Sequence, residues 1–144
     1  MAIKEQLIGT WRLISQETEF PDGHKEHTRG QNPDGILMYD VFGNMSVHLS
    51  RTEEPLNQHT DITVFETVMA EYHAYFGTYE IDEDARIVYH HIVSAVFPPY
   101  RGTRQVRHFE LDGDELRLYA AATTAGDDTK RFLIWHRLTK AYTE

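Results

Sequence analysis

A Gly-x-Trp near one end of the chain and a Trp-His-Arg near the other constrain the fold more than anything between them. Gly9-Thr10-Trp11 follows a short N-terminal helical stretch, and Leu133-Ile134-Trp135-His136-Arg137 closes the last strand-like run. An indole on the first strand and a guanidinium on the last would meet if the intervening strands closed into a barrel. The cation would then stack on the ring, a contact worth about 0.5–2 kcal/mol according to its desolvation. Closure makes a cup, and a cup of about eight strands has room for one small ligand.

The rest of the chain has the rhythm such a cup needs. Short strand-like runs alternate with turn signals about every 8–12 residues, the pattern of an all-β sandwich or barrel. Strands are expected near 10–18, 35–40, 44–51, 76–82, 86–97, 104–111, 115–122 and 130–139. Turn residues separate them at Pro21-Asp22-Gly23, Asn32-Pro33-Asp34-Gly35, Phe42-Gly43-Asn44, Asp82-Glu83-Asp84, Pro98-Pro99, Asp112-Gly113 and Gly126-Asp127-Asp128. The fold class is therefore all-β: a closed antiparallel up-and-down barrel of about eight strands with a short N-terminal helix.

One segment departs from that rhythm. Between Thr63 and Tyr75 the apolar residues Phe65, Val68, Met69, Tyr72 and Tyr75 fall at helical spacing. Thr63 with Glu66 makes a capping box. The spacing predicts one amphipathic helix near 63–75, packed over the barrel wall or one end, after a loop from Arg51 to Asp61. With 144 residues and no linker or repeat, positions 1–144 are expected to form a single domain.

Composition removes several functions. The chain carries 14 Lys and Arg against 23 Asp and Glu, a net charge of −9, with the acids scattered and no basic patch. That argues against nucleic-acid binding. It has no cysteine, so disulfides and zinc–thiolate sites are excluded. No apolar run reaches membrane-spanning length and the first residues lack a signal-peptide core, so a soluble cytoplasmic protein is expected. Nine histidines invite a metal site. However, His90 and His91 are adjacent on a strand and point to opposite faces, so no metal and no cofactor is expected.

Strand registers indicate which side chains share the interior. A type I′ turn at Asp112-Gly113 would pair Phe109 with Leu116, Arg107 with Leu118 and Gln105 with Ala120. Leu116, Leu118 and Ala120 alternate with Glu115, Arg117 and Tyr119, so the apolar set faces inward and takes Gln105 and Arg107 with it. An arginine on an apolar face is costly unless paired. A two-residue turn at Glu83-Asp84 would pair Tyr79 with Val88 and Gly77 with His90, placing Val88, His90, Ile92 and Ser94 on one face. The candidate lumen wall is thus Tyr79, His90, Ser94, Gln105 and Arg107. The loop at 98–103 does not fix the last register, and a slip of one residue would substitute His91, Val93 and Ala95.

These runs resemble the lipocalin-like family of small bacterial and fungal domains within the calycin superfamily. The likeness covers nearly the whole chain. It rests on Leu7-Ile8-Gly9-Thr10-Trp11-Arg12-Leu13, Asn32-Pro33-Asp34-Gly35-Ile36-Leu37-Met38-Tyr39 and Gly43-Asn44-Met45-Ser46-Val47. It continues through Tyr75-Phe76-Gly77-Thr78-Tyr79, His90-His91, Phe97-Pro98, Gly102-Thr103-Arg104-Gln105-Val106-Arg107 and Trp135-His136-Arg137. The resemblance implies the barrel and leaves function open, since the family resembles binding proteins and enzymes alike. His48 and Ser50 depart from the family pattern, where Gln and Met are commoner.

Within that frame Trp11 and Arg137 are expected to be structural, plugging the closed end. Arg107 either salt-bridges to a lumen acid such as Glu17 or holds a ligand carboxylate or phenolate. His90 is either a hydrogen-bonded core histidine or a catalytic acid/base. The leading expectation is a lumen that binds a small, partly apolar molecule, anionic or aromatic. The first alternative is a small barrel isomerase, cyclase or lyase acting on a polyketide-like or aromatic metabolite. In it His90 moves the proton while Tyr79 and Arg107 stabilise negative charge. The second is a filled barrel serving structure or interaction. In that last reading a homodimer would form through a strand edge or the helix near 63–75.

Overall fold

A computed structural model of the chain describes residues 2–53, 71–121 and 128–143. A five-residue helix α1 (Ile3–Leu7) leads into β1 (Gly9–Glu19), β2 (Lys25–Glu26), β3 (Asp34–Tyr39), β4 (Asn44–Ser50) and β5 (Tyr72–Asp82). Then come β6 (Ile87–Ala95), a single 3-10 turn (Pro98–Tyr100), β7 (Arg104–Asp112), β8 (Glu115–Ala121) and β9 (Lys130–Arg137). Neighbours pair antiparallel in the order β1-β3-β4-β5-β6-β7-β8-β9, and β9 pairs back with β1. Eight strands therefore close into a barrel, and two-residue β2 only flanks the end of β1. No helix among the described residues is long and apolar enough to cross a membrane.

The end motifs close one end of the barrel. Trp11 pairs with Arg137 across β1 and β9, and the Arg137 guanidinium lies 4.3 Å from the indole centre. Its Nη1 donates to the Ile8 carbonyl at 2.8 Å and its Nη2 to that of Gln6. The Trp11 indole donates to the Leu7 carbonyl at 3.0 Å. One cation and one indole thus take up the orphan carbonyls at the end of α1. Gly9 makes the approach possible: its φ is +143° and a Cβ there would sit 2.7 Å from Arg137 Nη1. Leu7, Trp11, Leu13, Leu37, Tyr39, Val88, Phe109, Leu116 and Trp135 are the most deeply buried hydrophobic residues of the core.

Two hairpins turn elsewhere than expected. β7 and β8 pair Asp112 with Glu115 and Phe109 with Leu118, so the loop is Gly113-Asp114 and not Asp112-Gly113. β5 and β6 pair Asp82 with Ile87 and Tyr79 with His90, leaving a four-residue loop, 83–86, in place of Glu83-Asp84 alone. Each shift is two residues. A strand has period two, so every side chain keeps its face.

Two bulges do change faces. On β1 the register jumps between Leu13 and Ser15, which leaves Ile14 unpaired. Beyond it Gln16 and Thr18 are buried, while Glu17 turns outward toward Lys25 and His27. Glu17 is therefore not a partner for Arg107. On β6 the register jumps opposite Phe76/Gly77, and Val93 is the extra residue. Beyond it Ala95 is buried, and Ser94 pairs with exposed Phe76.

Gly77 permits the second bulge, because a Cβ at that position would overlap the His91 carbonyl oxygen. Gly77→Ala is expected to destabilise the fold by about 1–3 kcal/mol through enforced backbone displacement. A urea midpoint equal to that of the native protein would refute this.

The helical spacing near 63–75 extends too far. Tyr72 and Tyr75 lie on β5, whose buried residues His73, Tyr75, Gly77 and Tyr79 alternate with period two. Residues 63–70 of that segment lie outside the described residues, as does most of the preceding loop.

Candidate functional site

Between the plug and the opposite end of the barrel lies a cavity of about 1040 Å³. That is the upper end of the size range of pockets that take a drug-sized molecule. Leu37, Val47, Leu49, Leu118, Leu133 and Phe97 supply apolar wall. The polar groups come from every strand of the barrel except β3 and β4, from the loops before β3, β7 and β9, and from the 3-10 turn.

The deepest polar feature is a chain of hydrogen bonds through His90. The imidazole is 1 % exposed. Its Nε2 bonds the Tyr39 hydroxyl and its Nδ1 the Tyr75 hydroxyl, both at 2.6 Å. Burial first, then the charge of Arg107, holds its pKa well below the ordinary value, so the ring is neutral at pH 7. A neutral imidazole has one donor and one acceptor, so one tyrosine donates to it and the other accepts. Burial likewise raises both phenol pKa values. The cavity is lined by Tyr75 and His90 but not by Tyr39. With both ring nitrogens engaged, His90 can exchange a proton with anything in the cavity only through Tyr75.

Tyr75 leads on to Arg107. Burial opposes the charge on this guanidinium, but the phenols of Tyr75 and Tyr100, both hydrogen-bonded to it, outweigh burial and raise its pKa. Arg107 Nη1 also donates to the Val106 carbonyl at 3.0 Å. Tyr100 comes from the 3-10 turn, and its ring packs edge-on against Phe97 and His73.

Two more guanidiniums line the same cavity. Arg29, in the loop before β3, donates from Nε to the Gln16 amide oxygen at 2.9 Å. Burial and then the charge of Arg131 lower its pKa to about 10, against the attraction of Glu71. Arg131 is on β9. The imidazole of His73 reports all three cations: burial, Arg29, Arg107 and Arg131 together lower its pKa to about 4. No carboxylate lines the cavity among the described residues.

Some polar atoms on this wall have no partner. Gln105 Oε1, His73 Nδ1 and Trp135 Nε1 are buried without a hydrogen bond among the described residues. All three residues line the cavity.

Of the residues expected to share the wall, His90, Gln105 and Arg107 do so. Tyr79 has the same face but lies too near the plug. Its hydroxyl donates to the Asp40 carbonyl at 2.7 Å, and it is not part of the cavity lining. Ser94 is turned outward by the β6 bulge. Sequence reasoning missed Tyr39, His73, Tyr75, Tyr100, Arg29 and Arg131. The alternation His73-x-Tyr75-x-Gly77-x-Tyr79 carried the signal for two of them. Arg29 is in a loop and has no periodicity to reveal it.

A closed antiparallel barrel, plugged at one end around a large mixed cavity, belongs to the class of folds suited to binding small molecules. The chain is a member of the lipocalin-like domain family, whose model matches residues 8–138. No curated protein matches it.

Proposed function

We propose that the protein binds a small, partly apolar anion inside the barrel. One observation carries this reading: the buried Arg107 guanidinium lines the cavity against the Tyr75 and Tyr100 phenols and the Val106 carbonyl, and no described lining residue is acidic. A buried cation is stabilised by a counter-charge. An anion entering the cavity supplies it, with charge-assisted bonds to Arg107 and an apolar body against Leu37, Leu49 and Leu118. The protein's overall charge of −9 makes this interior contrast the sharper. In this reading His90 positions Tyr75, and Tyr75 and Arg107 meet the ligand. Engagement of both His90 nitrogens weighs against the alternative in which His90 itself acts on a substrate.

Titration with anilinonaphthalenesulfonate, an aromatic anion whose fluorescence rises on burial, tests the proposal. Arg107→Met is expected to weaken binding at least tenfold, the effect of losing a charge-assisted hydrogen bond. An unchanged Kd in Arg107→Met, or equal affinity for an uncharged analogue of the probe, would reject it.

A further inference from the structure

The unpartnered atoms of the cavity specify more than a charge. Gln105 is 5 % exposed, and its Nε2 donates to Thr103 Oγ1 at 2.9 Å. The Thr103 hydroxyl in turn donates to the Tyr100 carbonyl at 2.6 Å. A carbonyl can only accept, so the one hydroxyl proton of Thr103 is committed to it and Thr103 Oγ1 must accept from Gln105. That fixes which way the amide points. Gln105 Oε1 is then a buried acceptor lining the cavity, with no donor among the described residues. Arginine, phenol and indole groups on this wall call for acceptors on the ligand, and Gln105 Oε1 calls for a donor. A simple carboxylate or sulfonate leaves that acceptor unsatisfied, which carries a penalty. The rings of Phe97, Tyr100, Tyr75 and His73 line the same region and pack edge-on or tilted, presenting surfaces on which a flat ring can pack.

We propose that the preferred ligand is a hydroxylated aromatic acid, whose acid group faces Arg107 and whose hydroxyl donates to Gln105 Oε1. This rests on the anion-binding reading above and adds a donor requirement to it. Trp135 Nε1, the unpartnered donor on β9, is available to a second oxygen of the same ligand.

The test compares naphthoate, the hydroxynaphthoate isomers and their methoxy ethers by isothermal titration calorimetry. The ethers keep the size and oxygen of the hydroxyl and remove only its proton. At least one hydroxynaphthoate is expected to bind about tenfold more tightly than both naphthoate and its own ether. Gln105→Met should abolish that preference, so that hydroxynaphthoate, naphthoate and the ether bind alike, and a cooperative urea transition shows that the variant is folded. Thr103→Val, which keeps Gln105 but frees its amide to turn, should reduce the preference. Equal binding of hydroxylated and plain acids overturns the donor requirement and leaves the anion reading standing, provided that Arg107→Met weakens both. If no acid binds, both proposals fall. A preference that survives Gln105→Met also overturns this one.

Discussion

Trp11→Ala is expected to lower the free energy of unfolding by about 3–5 kcal/mol, the usual range for truncating a large aromatic in a core. Trp11 is fully buried and does three things at once. It fills the plugged end, donates to the Leu7 carbonyl and carries the Arg137 guanidinium on its face. A domain of this size has about 5–15 kcal/mol in all, so the variant would be near the limit of folding. Urea denaturation gives the result as a lowered midpoint at unchanged m-value. Arg137→Met should show a smaller loss of about 2–3 kcal/mol, because methionine keeps some of the packing while the carbonyls of Ile8 and Gln6 lose their donor. Since the two residues share one stack, the double variant should lose less than the sum of the singles. Additive losses would show that the stack contributes nothing beyond two independent packing sites.

The same pair explains how far the sequence reveals this fold. Closure was legible because its two partners are chemically distinctive and sit at the chain ends. Strand number was legible because Gly, Pro, Asn and Asp interrupt the alternation. Faces were legible wherever alternation ran unbroken: the two hairpin shifts moved the pairing by two residues and left Val88, His90, Ile92, Gln105 and Arg107 pointing inward. Bulges were not legible. On β1 the run Ser15-Gln16-Glu17-Thr18 is wholly polar, so no apolar marker shows that Ile14 is extra and that Gln16, not Glu17, is inside. On β6 the bulge depends on Gly77 of the neighbouring strand, a signal that alternation within β6 does not contain. Depth was not legible either. Parity places Tyr79 on the inner face but does not distinguish the plug from the cavity. Tyr72 and Tyr75, three apart, would share a face on a helix, but their pairing with Ser50 and Val47 puts them on opposite faces of a strand, Tyr72 exposed and Tyr75 buried.

Between pH 7 and pH 5 the folded state is expected to lose about 2 kcal/mol through His73, with a further loss through His90, two histidines that the barrel keeps neutral. Burial and the three arginines lower the pKa of His73 to about 4, and burial and Arg107 hold His90 well below its ordinary value. In the unfolded chain both titrate near 6.5. Below that pH the unfolded state takes up protons that the folded state refuses, so the stability present above about 6.5 is lost as pH falls toward the folded pKa values. At pH 5 His73 contributes a loss of about 2 kcal/mol, and His90 adds a loss of the same sign. His24, exposed beside Asp22, has a raised pKa and acts in the opposite sense. Urea midpoints at the two pH values measure the loss directly. His73→Leu removes one of the two groups and should reduce the loss by about 2 kcal/mol, even if the variant is less stable at pH 7. An equal loss in His73→Leu would mean that His73 titrates normally in the folded state. A ligand anion near the arginines would weaken the field that holds His73 neutral. Saturation with the tightest-binding acid should therefore shift the acid transition of the native protein to lower pH more than it shifts that of His73→Leu.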